Sequence, residues 1–284
     1  MVGYQSKDMD DSLDMNNLLS VVEERVRAKL LSTLPHECSP APEAPKSPKR
    51  AGEFFACDFD GDPAQAPRLI THTSLSTDAT RDDINNLCDV ALALRLRAVC
   101  VPPSYTELAV GRLLSSTIRV CTAVGHPLGA TTPQVKAFEA GEAIRLGADE
   151  IDLALNAGAL MSRDFHIVHE EIREIAKSSP DVPITLSLNA TSLDDQQIVI
   201  ASALAISAGV SFISLSLNDR LDLLSELRHV VGSKVGLIAA AVSTGAQAER
   251  LLGAGAHRIK TRDSALIIDH LRQRQLQSGG SATL

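Results

Sequence analysis

The sequence is poor in aromatic residues and contains no tryptophan. Aromatic residues make up 3% of its 284 residues, whereas hydrophobic residues reach 44%. The core must therefore be aliphatic, as it usually is in parallel sheets that helices cover on both faces. A net charge of -8 argues against the basic surface that phosphate backbones require, so no nucleic-acid partner is expected.

Paired cysteines, signal segments and membrane spans are also missing. The five cysteines are odd in number and form no CxxC pair, which is typical of a reducing compartment and provides no zinc template. The N-terminus is acidic and lacks an apolar signal core. The longest apolar run, "IVIASALAISAGV", is short for a membrane span and contains serines. We therefore predict a cytoplasmic protein with no membrane partner.

The first 53 residues differ in composition from the rest of the chain. Apolar residues at spacings of three and four predict an amphipathic helix over residues 12–34. The prolines and charges of residues 36–53 are typical of a linker. We therefore predict an N-terminal extension over residues 1–53, a globular domain over residues 54–273 and a C-terminal tail over residues 274–284.

Short apolar segments alternate with amphipathic helical segments through the globular domain. Eight of them are predicted strands: "RLITHTSL", "RAVCVPP", "IRVCTAVG", "ADEIDLAL", "PITLSLN", "VSFISLSL", "KVGLIAAA" and "HRIKT". Eight such units at this spacing predict an α/β fold, a closed (β/α)8 TIM barrel. The alternative is an open doubly wound sheet. Such a sheet usually shows a glycine-rich phosphate turn after its first strand, and the sequence has none there.

Reacting groups in such a barrel lie at the carboxyl ends of the strands. Asp152 is the most suggestive residue there, because a carboxylate in a barrel mouth must be paired or protonated. It could equally order neighbouring strand ends through hydrogen bonds. His72 is a candidate base or a partner for nearby backbone, and Cys100 is typical of a core position. These residues and His126 are permitted metal ligands, but their spacing supports no metal site.

Lysines are scarce in the barrel region, and only Lys260 lies near the predicted catalytic rim. Lys136 and Lys177 fall in predicted helices, and Lys234 precedes its strand. Lys260 and Arg262 together form a candidate anion-binding pair. The simpler interpretation is that Asp263 pairs with one of them at the surface.

Several motifs together resemble the deoxyribose-phosphate aldolase family, which are class I aldolases with a (β/α)8 fold. The resemblance covers roughly residues 69–268 and is carried by "VCTAVGHPLGATTPQVKAFEA", "GADEIDLALNAGALMSRDF" and "GAGAHRIKT". It implies chemistry in which a neutral lysine forms an imine with an aldehyde, and a second lysine lowers the pKa of the first. An aspartate and a water then move the protons. No cofactor is implied.

The resemblance also implies that the family lysines have been replaced. Ser214 falls where the imine-forming lysine belongs, and Ile238 and Ile184 fall at the lysines of strands seven and five. Asp152 and Cys100 match their family counterparts, whereas Thr71 replaces an aspartate of strand one. The family's phosphate-binding glycines and its strand-seven arginine are replaced as well, by Leu217, Asn218, Ala240, Ala241 and Ser243.

These replacements predict a catalytically inactive pseudoenzyme that acts by binding, as a scaffold or regulator of a macromolecular partner, in the first instance a protein. A cytoskeletal filament such as actin is suggested only by analogy to a different aldolase family. Self-association into a homo-oligomer is also compatible with the resemblance. Two alternatives stay open: a retooled lyase or aldolase that uses Lys260 and Asp152 on a different substrate, and a sugar-phosphate sensor.

Overall fold

The computed structural model of the protein describes residues 64–188, 192–218, 220–233 and 235–279. The predicted helix over residues 12–34 and the predicted linker over residues 36–53 lie outside the described residues. The last helix runs to Gly279 and so continues past residue 273, where we predicted the globular domain to end.

Eight parallel strands close into a barrel, and each strand pairs with its neighbours in chain order. Every strand lies inside one of the eight predicted segments, so the (β/α)8 prediction is confirmed. The strands are β1 (Ile70–Thr73), β2 (Ala98–Val101), β3 (Arg119–Val124), β4 (Glu150–Ala154), β5 (Ile184–Leu188), β6 (Phe212–Ser216), β7 (Gly236–Ala240) and β8 (Arg258–Thr261).

Helices surround the barrel and connect its strands. They are α1 (Arg81–Leu94), α2 (Thr106–Leu113), α3 (Pro133–Arg145), the short α4 (Ala157–Met161), α5 (Phe165–Ser178), α6 (Asp195–Ala208), α7 (Leu221–Val231), α8 (Gly245–Gly253) and α9 (Ser264–Gly279). Local sequence explains several helix ends. Thr80 and Asp83 form a reciprocal capping box at the start of α1, and Gly209 ends α6 with a left-handed φ of 94°.

Side chains along each strand alternate between the barrel interior and the surrounding helices. The outward-facing set is mostly aliphatic and buried, with Ile151, Leu186, Ile213, Leu237 and Ile259 each at 0% exposure. This confirms the aliphatic core expected from the shortage of aromatic residues. The inward-facing set is largely polar, and it supplies the candidate site.

The loop between β3 and α3 folds back onto the end of β4. Gly129 in this loop has a φ of +65°, and a Cβ atom there would collide with the main-chain carbonyl of Leu155. Only glycine satisfies both constraints, which gives the "GHPLG" motif a structural reason. None of the helices within the described ranges has the length and apolar character needed to cross a membrane.

Candidate active site

Lys260 lies inside the barrel. Its side chain is 8% exposed, and its Nζ atom is 2.7 Å from Oδ2 of Asp152 and 3.4 Å from Oγ of Ser187. The surface setting that we predicted for Lys260 is therefore wrong. The reason is strand alternation: Arg258 and Lys260 both face inward, toward the acidic side chains of β4.

The Asp152 carboxylate is held by three side chains from three different strands. Oδ1 accepts a hydrogen bond of 2.5 Å from the hydroxyl of Ser187 on β5. Oδ2 accepts from Lys260 on β8 and, at 3.8 Å, from the thiol of Cys100 on β2. Asp152, Cys100 and Lys260 are among the residues predicted from the sequence, whereas Ser187 is not. Alternation along "PITLSLN" would have placed Ser187 on the inner face.

Electrostatics keeps Lys260 charged in the resting protein. Burial alone would lower the pKa of its ammonium group, but the charge and hydrogen bond of Asp152 outweigh burial and raise that pKa. The neighbouring thiol of Cys121 stays protonated, because its hydrogen bond with Cys100 and its burial raise its pKa. The site therefore contains one ion pair beside the protonated Cys121 thiol.

A second charged layer lies one pleat nearer the amino ends of the strands. The carboxylate of Glu150 on β4 forms ion pairs with three guanidinium groups, those of Arg97 at 2.5 Å, Arg258 at 3.3 Å and Arg119 at 3.5 Å. The Arg258 guanidinium also stacks 3.6 Å from the ring centre of Phe212. Burial lowers the pKa of Arg258 to about 10. This layer is not among the predicted site residues, although the alternation of Glu150 and Asp152 in "EID" places both on one face of the strand.

The resemblance assigns lysines to Ser214, Ile238 and Ile184, and these positions do not share one face. Ser214 and Ile238 are register partners, and Ser214 also pairs in register with Ser187, so Ser214 and Ile238 face the interior as Ser187 does. Ile184 instead pairs in register with Ile151 and faces the helices. The interpretation that groups Ile184 with the other two is therefore wrong, because Ile184 lies on the opposite face of its strand.

The loops after β6 and β7 have glycine-like backbone without glycine. Asn218 has a φ of 43° and Ala241 a φ of 56°, both in the left-handed region. The resemblance implies phosphate-binding glycines at positions that include these two, and here Asn218 and Ala241 keep the left-handed backbone conformation that glycine favours.

His72 and His126 make their hydrogen bonds with groups other than Asp152. His72 faces outward, where its Nδ1 atom lies 3.1 Å from the Ser264 hydroxyl, and burial lowers its pKa so that the ring is neutral. The Nε2 atom of His126 contacts the Leu75 carbonyl at 3.3 Å. Across the residues that the structure describes, no three His, Cys, Asp or Glu side chains are grouped to hold a metal ion.

Arg262 is exposed and lines a cleft of about 430 Å³ beside the barrel rim. The cleft is lined by residues of β1, the loop after it and α1, among them Thr73, Asp78 and Asn86. Lys260 and Arg262 thus have different surroundings, since the Lys260 ammonium is occupied by Asp152.

Sequence comparisons show which known proteins this chain is similar to. A comparison with protein-family models finds no match. The deoxyribose-phosphate aldolase of Coprothermobacter proteolyticus is 35% identical over 211 residues, which cover 72% of this chain and 96% of the relative. The enzyme of that name from Streptococcus pneumoniae serotype 19F is 38% identical over 207 residues, which cover 71% and 94%. This chain belongs to the deoxyribose-phosphate aldolase family.

Solved structures of aldolases share the fold. The aldolase QR15 has a TM-score of 0.69 at 27% identity, over 75% of this chain and 98% of that chain. A deoxyribose phosphate aldolase from Aeropyrum pernix, described as a tetramer, has a TM-score of 0.68 at 24% identity, over 75% and 94%. The family predicted from the motifs is confirmed.

The prediction that this protein is not an enzyme is contradicted. Relatives that are 35% and 38% identical over most of the chain are named as deoxyribose-phosphate aldolases. The prediction followed from the replacement of the family lysines by Ser214, Ile238 and Ile184. Lys260 supplies an amine from β8 instead, within hydrogen-bond distance of Asp152.

Proposed function

We propose that the protein is an aldolase or related carbon–carbon lyase in which Lys260 forms an imine with an aldehyde substrate and Asp152 moves the protons. The observation that carries this proposal is the contact of 2.7 Å between Lys260 and Asp152 inside the barrel. Membership of an aldolase family supports the same reaction class. An imine on Lys260 would accept the electron pair of a breaking C–C bond.

Lys260 must lose a proton before it attacks a carbonyl carbon, and Asp152 is placed to receive that proton. Transfer from the ammonium to the carboxylate converts this ion pair into a neutral pair, and the net charge of the two groups stays zero. In a site closed to water, the neutral pair avoids the cost of keeping two ions desolvated. The Ser187 hydroxyl then holds the carboxyl group in place.

The substrate we propose is a small aldehyde or a sugar phosphate that releases one. Deoxyribose phosphate enters from the name of the relatives. Arg262 is the cation that we propose for an anionic end, since it follows Lys260 by two residues on the mouth side of β8. The cytoplasmic location, the macromolecular partner and the homo-oligomer predicted from the sequence stay predictions.

Reductive trapping tests the proposed function. The protein is incubated with acetaldehyde, or with deoxyribose 5-phosphate, and sodium borohydride, and the modified residue is located by peptide mass spectrometry. We expect a stable alkyl adduct on Lys260 that is lost in Lys260→Met. Asp152→Asn, which cannot accept the proton, should slow trapping by roughly a hundredfold or more, as expected for loss of a general acid–base group.

Lys177→Met is the matched control, because Lys177 lies on the exposed surface of α5 and pairs with Glu174. This variant should be trapped at the wild-type rate. The proposal is wrong if the wild-type protein forms no adduct, or if Lys260→Met is trapped as fast as the wild type.

A further inference from the structure

Ser214 has a buried hydroxyl that the rest of the described structure does not satisfy. The residue is 1% exposed, and its Oγ atom has no hydrogen-bond partner among the described residues. A buried hydroxyl without a partner costs about 1–3 kcal/mol. Alanine fills comparable inward positions of this barrel, at Ala154 and Ala240, so a serine at this place requires an explanation other than packing.

The register of the barrel places Ser214 next to Ser187, which contacts Lys260. Ser214 is the register partner of Ser187 on the adjacent strand, and the Ser187 Oγ atom is 3.4 Å from Nζ of Lys260. Ser187 itself is occupied, because its hydroxyl donates to Asp152. The neighbour on the other side is Ile238, whose side chain offers no polar atom. Ser214 is therefore the unoccupied donor of this layer.

We infer that the Ser214 hydroxyl donates a hydrogen bond to the oxygen of the carbonyl group that Lys260 attacks, and that Ser214 is a further catalytic residue of this chain. The inference rests on the proposed function. Because Ser214 is 1% exposed, the oxygen reaches it only when neighbouring side chains move to admit the substrate. A donor aimed at the developing oxyanion stabilises the transition state more than the ground state.

The atoms and protons of this step balance. Asp152 takes a proton from the Lys260 ammonium, the free amine forms an N–C bond, and the carbonyl π-electron pair moves onto the oxygen held by Ser214. That oxygen takes one proton from the attacking nitrogen and a second from Asp152. It then leaves as water, and the protonated imine stays on Lys260 beside an ionised Asp152.

The test is trapping with acetaldehyde and borohydride in Ser214→Ala and Ser214→Thr, with melting temperature as a second readout. Ser214→Ala should be trapped on the order of a hundredfold more slowly, as expected for loss of one oxyanion donor. Its melting temperature should stay equal or rise, because an unsatisfied group has been removed. Ser214→Thr keeps the hydroxyl and should retain most of the rate.

Ser202→Ala is the matched control. Ser202 is also a buried serine, but it lies on α6 and donates to the Ile198 carbonyl at 2.8 Å. This variant should melt at a lower temperature and be trapped at the wild-type rate.

The outcomes separate the two proposals. A wild-type protein that gives no adduct defeats the proposed function and this inference together. A wild-type adduct with equally fast trapping in Ser214→Ala defeats the inference alone. Equal losses of trapping rate and melting temperature in the two alanine variants would assign Ser214 a structural role and also overturn it.

Discussion

Ala241 adopts a backbone conformation that alanine disfavours. Its φ of 56° lies in the left-handed region, just after β7. There the Cβ atom of an L-residue costs about 1–2 kcal/mol. Glycine avoids that cost in the folded state, but its greater conformational freedom stabilises the unfolded chain by roughly 0.4–1 kcal/mol. The relief of strain in the folded state is the larger of the two effects.

Ala241→Gly should therefore raise the free energy of unfolding by about 0.5–1 kcal/mol, the difference between these two effects. Urea unfolding of the two proteins measures it. Ala240→Gly, one residue earlier and still within β7, is the control and should be destabilising. A lower stability for Ala241→Gly would contradict the strain argument.

The pKa of Lys260 predicts where its ion pair stops contributing to stability. That pKa is raised in the folded protein, so the folded state holds the proton more tightly than the unfolded state does. The contribution is complete below the unfolded pKa of about 10.4 and is lost as the pH rises through the folded value.

Comparison of the wild type with Lys260→Met across pH checks this direction. Loss of one partner of a buried pair should destabilise the protein by about 3–5 kcal/mol. That gap should stay constant through roughly pH 6–9 and narrow only in more alkaline solution. A gap that already closes near neutral pH would contradict the raised pKa.

At the scale of elements, a buried ion pair joins α3 to α5. Nζ of Lys136 donates to Glu171 at 2.8 Å and to the Ala154 carbonyl at 3.0 Å, and both charged side chains are 0% exposed. Burial lowers the pKa of Lys136 and raises that of Glu171. Both directions show that desolvation opposes the two charges.

Lys136→Met alone should therefore destabilise the protein by about 3–5 kcal/mol, because it leaves an unpaired buried carboxylate. Adding Glu171→Gln removes that charge and keeps an acceptor for the Asn156 N–H, so the double variant should recover most of the loss. Urea unfolding of the wild type, Lys136→Met, Glu171→Gln and the double variant gives the coupling energy of the pair. A loss in the double variant equal to the sum of the two single losses would show that the pair is not coupled.

Elements were predictable from the sequence because strands and helices carry local periodicity. The segment "VSFISLSL" contains β6, and "KVGLIAAA" contains β7. The ion-pair partners within the barrel were harder to predict from the sequence, since they depend on register and on strands that are distant in the chain. Glu150 and Arg258 are 108 residues apart, and no local pattern links them. Strand ends alone do not show which side chains meet inside the barrel. Lys260 is therefore predicted at the surface, and Ser187 is not predicted as a site residue.

At the scale of the whole molecule, three of the five cysteines are buried in the described structure, Cys100 and Cys121 on strands of the barrel and Cys88 on α1. Cys88, Cys100 and Cys121 are free and buried. Burial raises the pKa of the Cys88 thiol to about 11. A buried and protonated thiol is a poor nucleophile.

All three cysteines should therefore escape alkylation by iodoacetamide in the native protein. They should be modified after denaturation, as peptide mass spectrometry can show for each cysteine separately. The reaction of a small thiol peptide under the same conditions supplies the reference rate. Native labelling of Cys100 or Cys121 at that rate would mean that the barrel interior is open to reagents.

Two ion pairs connect opposite walls of the barrel, since β4 and β8 stand four strands apart in either direction around it. Arg258 contacts Glu150 nearer the amino ends of the strands, and Lys260 contacts Asp152 nearer the mouth. A substrate that forms a bond with Lys260 must break the Lys260–Asp152 pair, while the Arg258–Glu150 pair still connects the two strands. Catalysis on Lys260 would therefore loosen the mouth of the barrel at each turnover and leave its base closed.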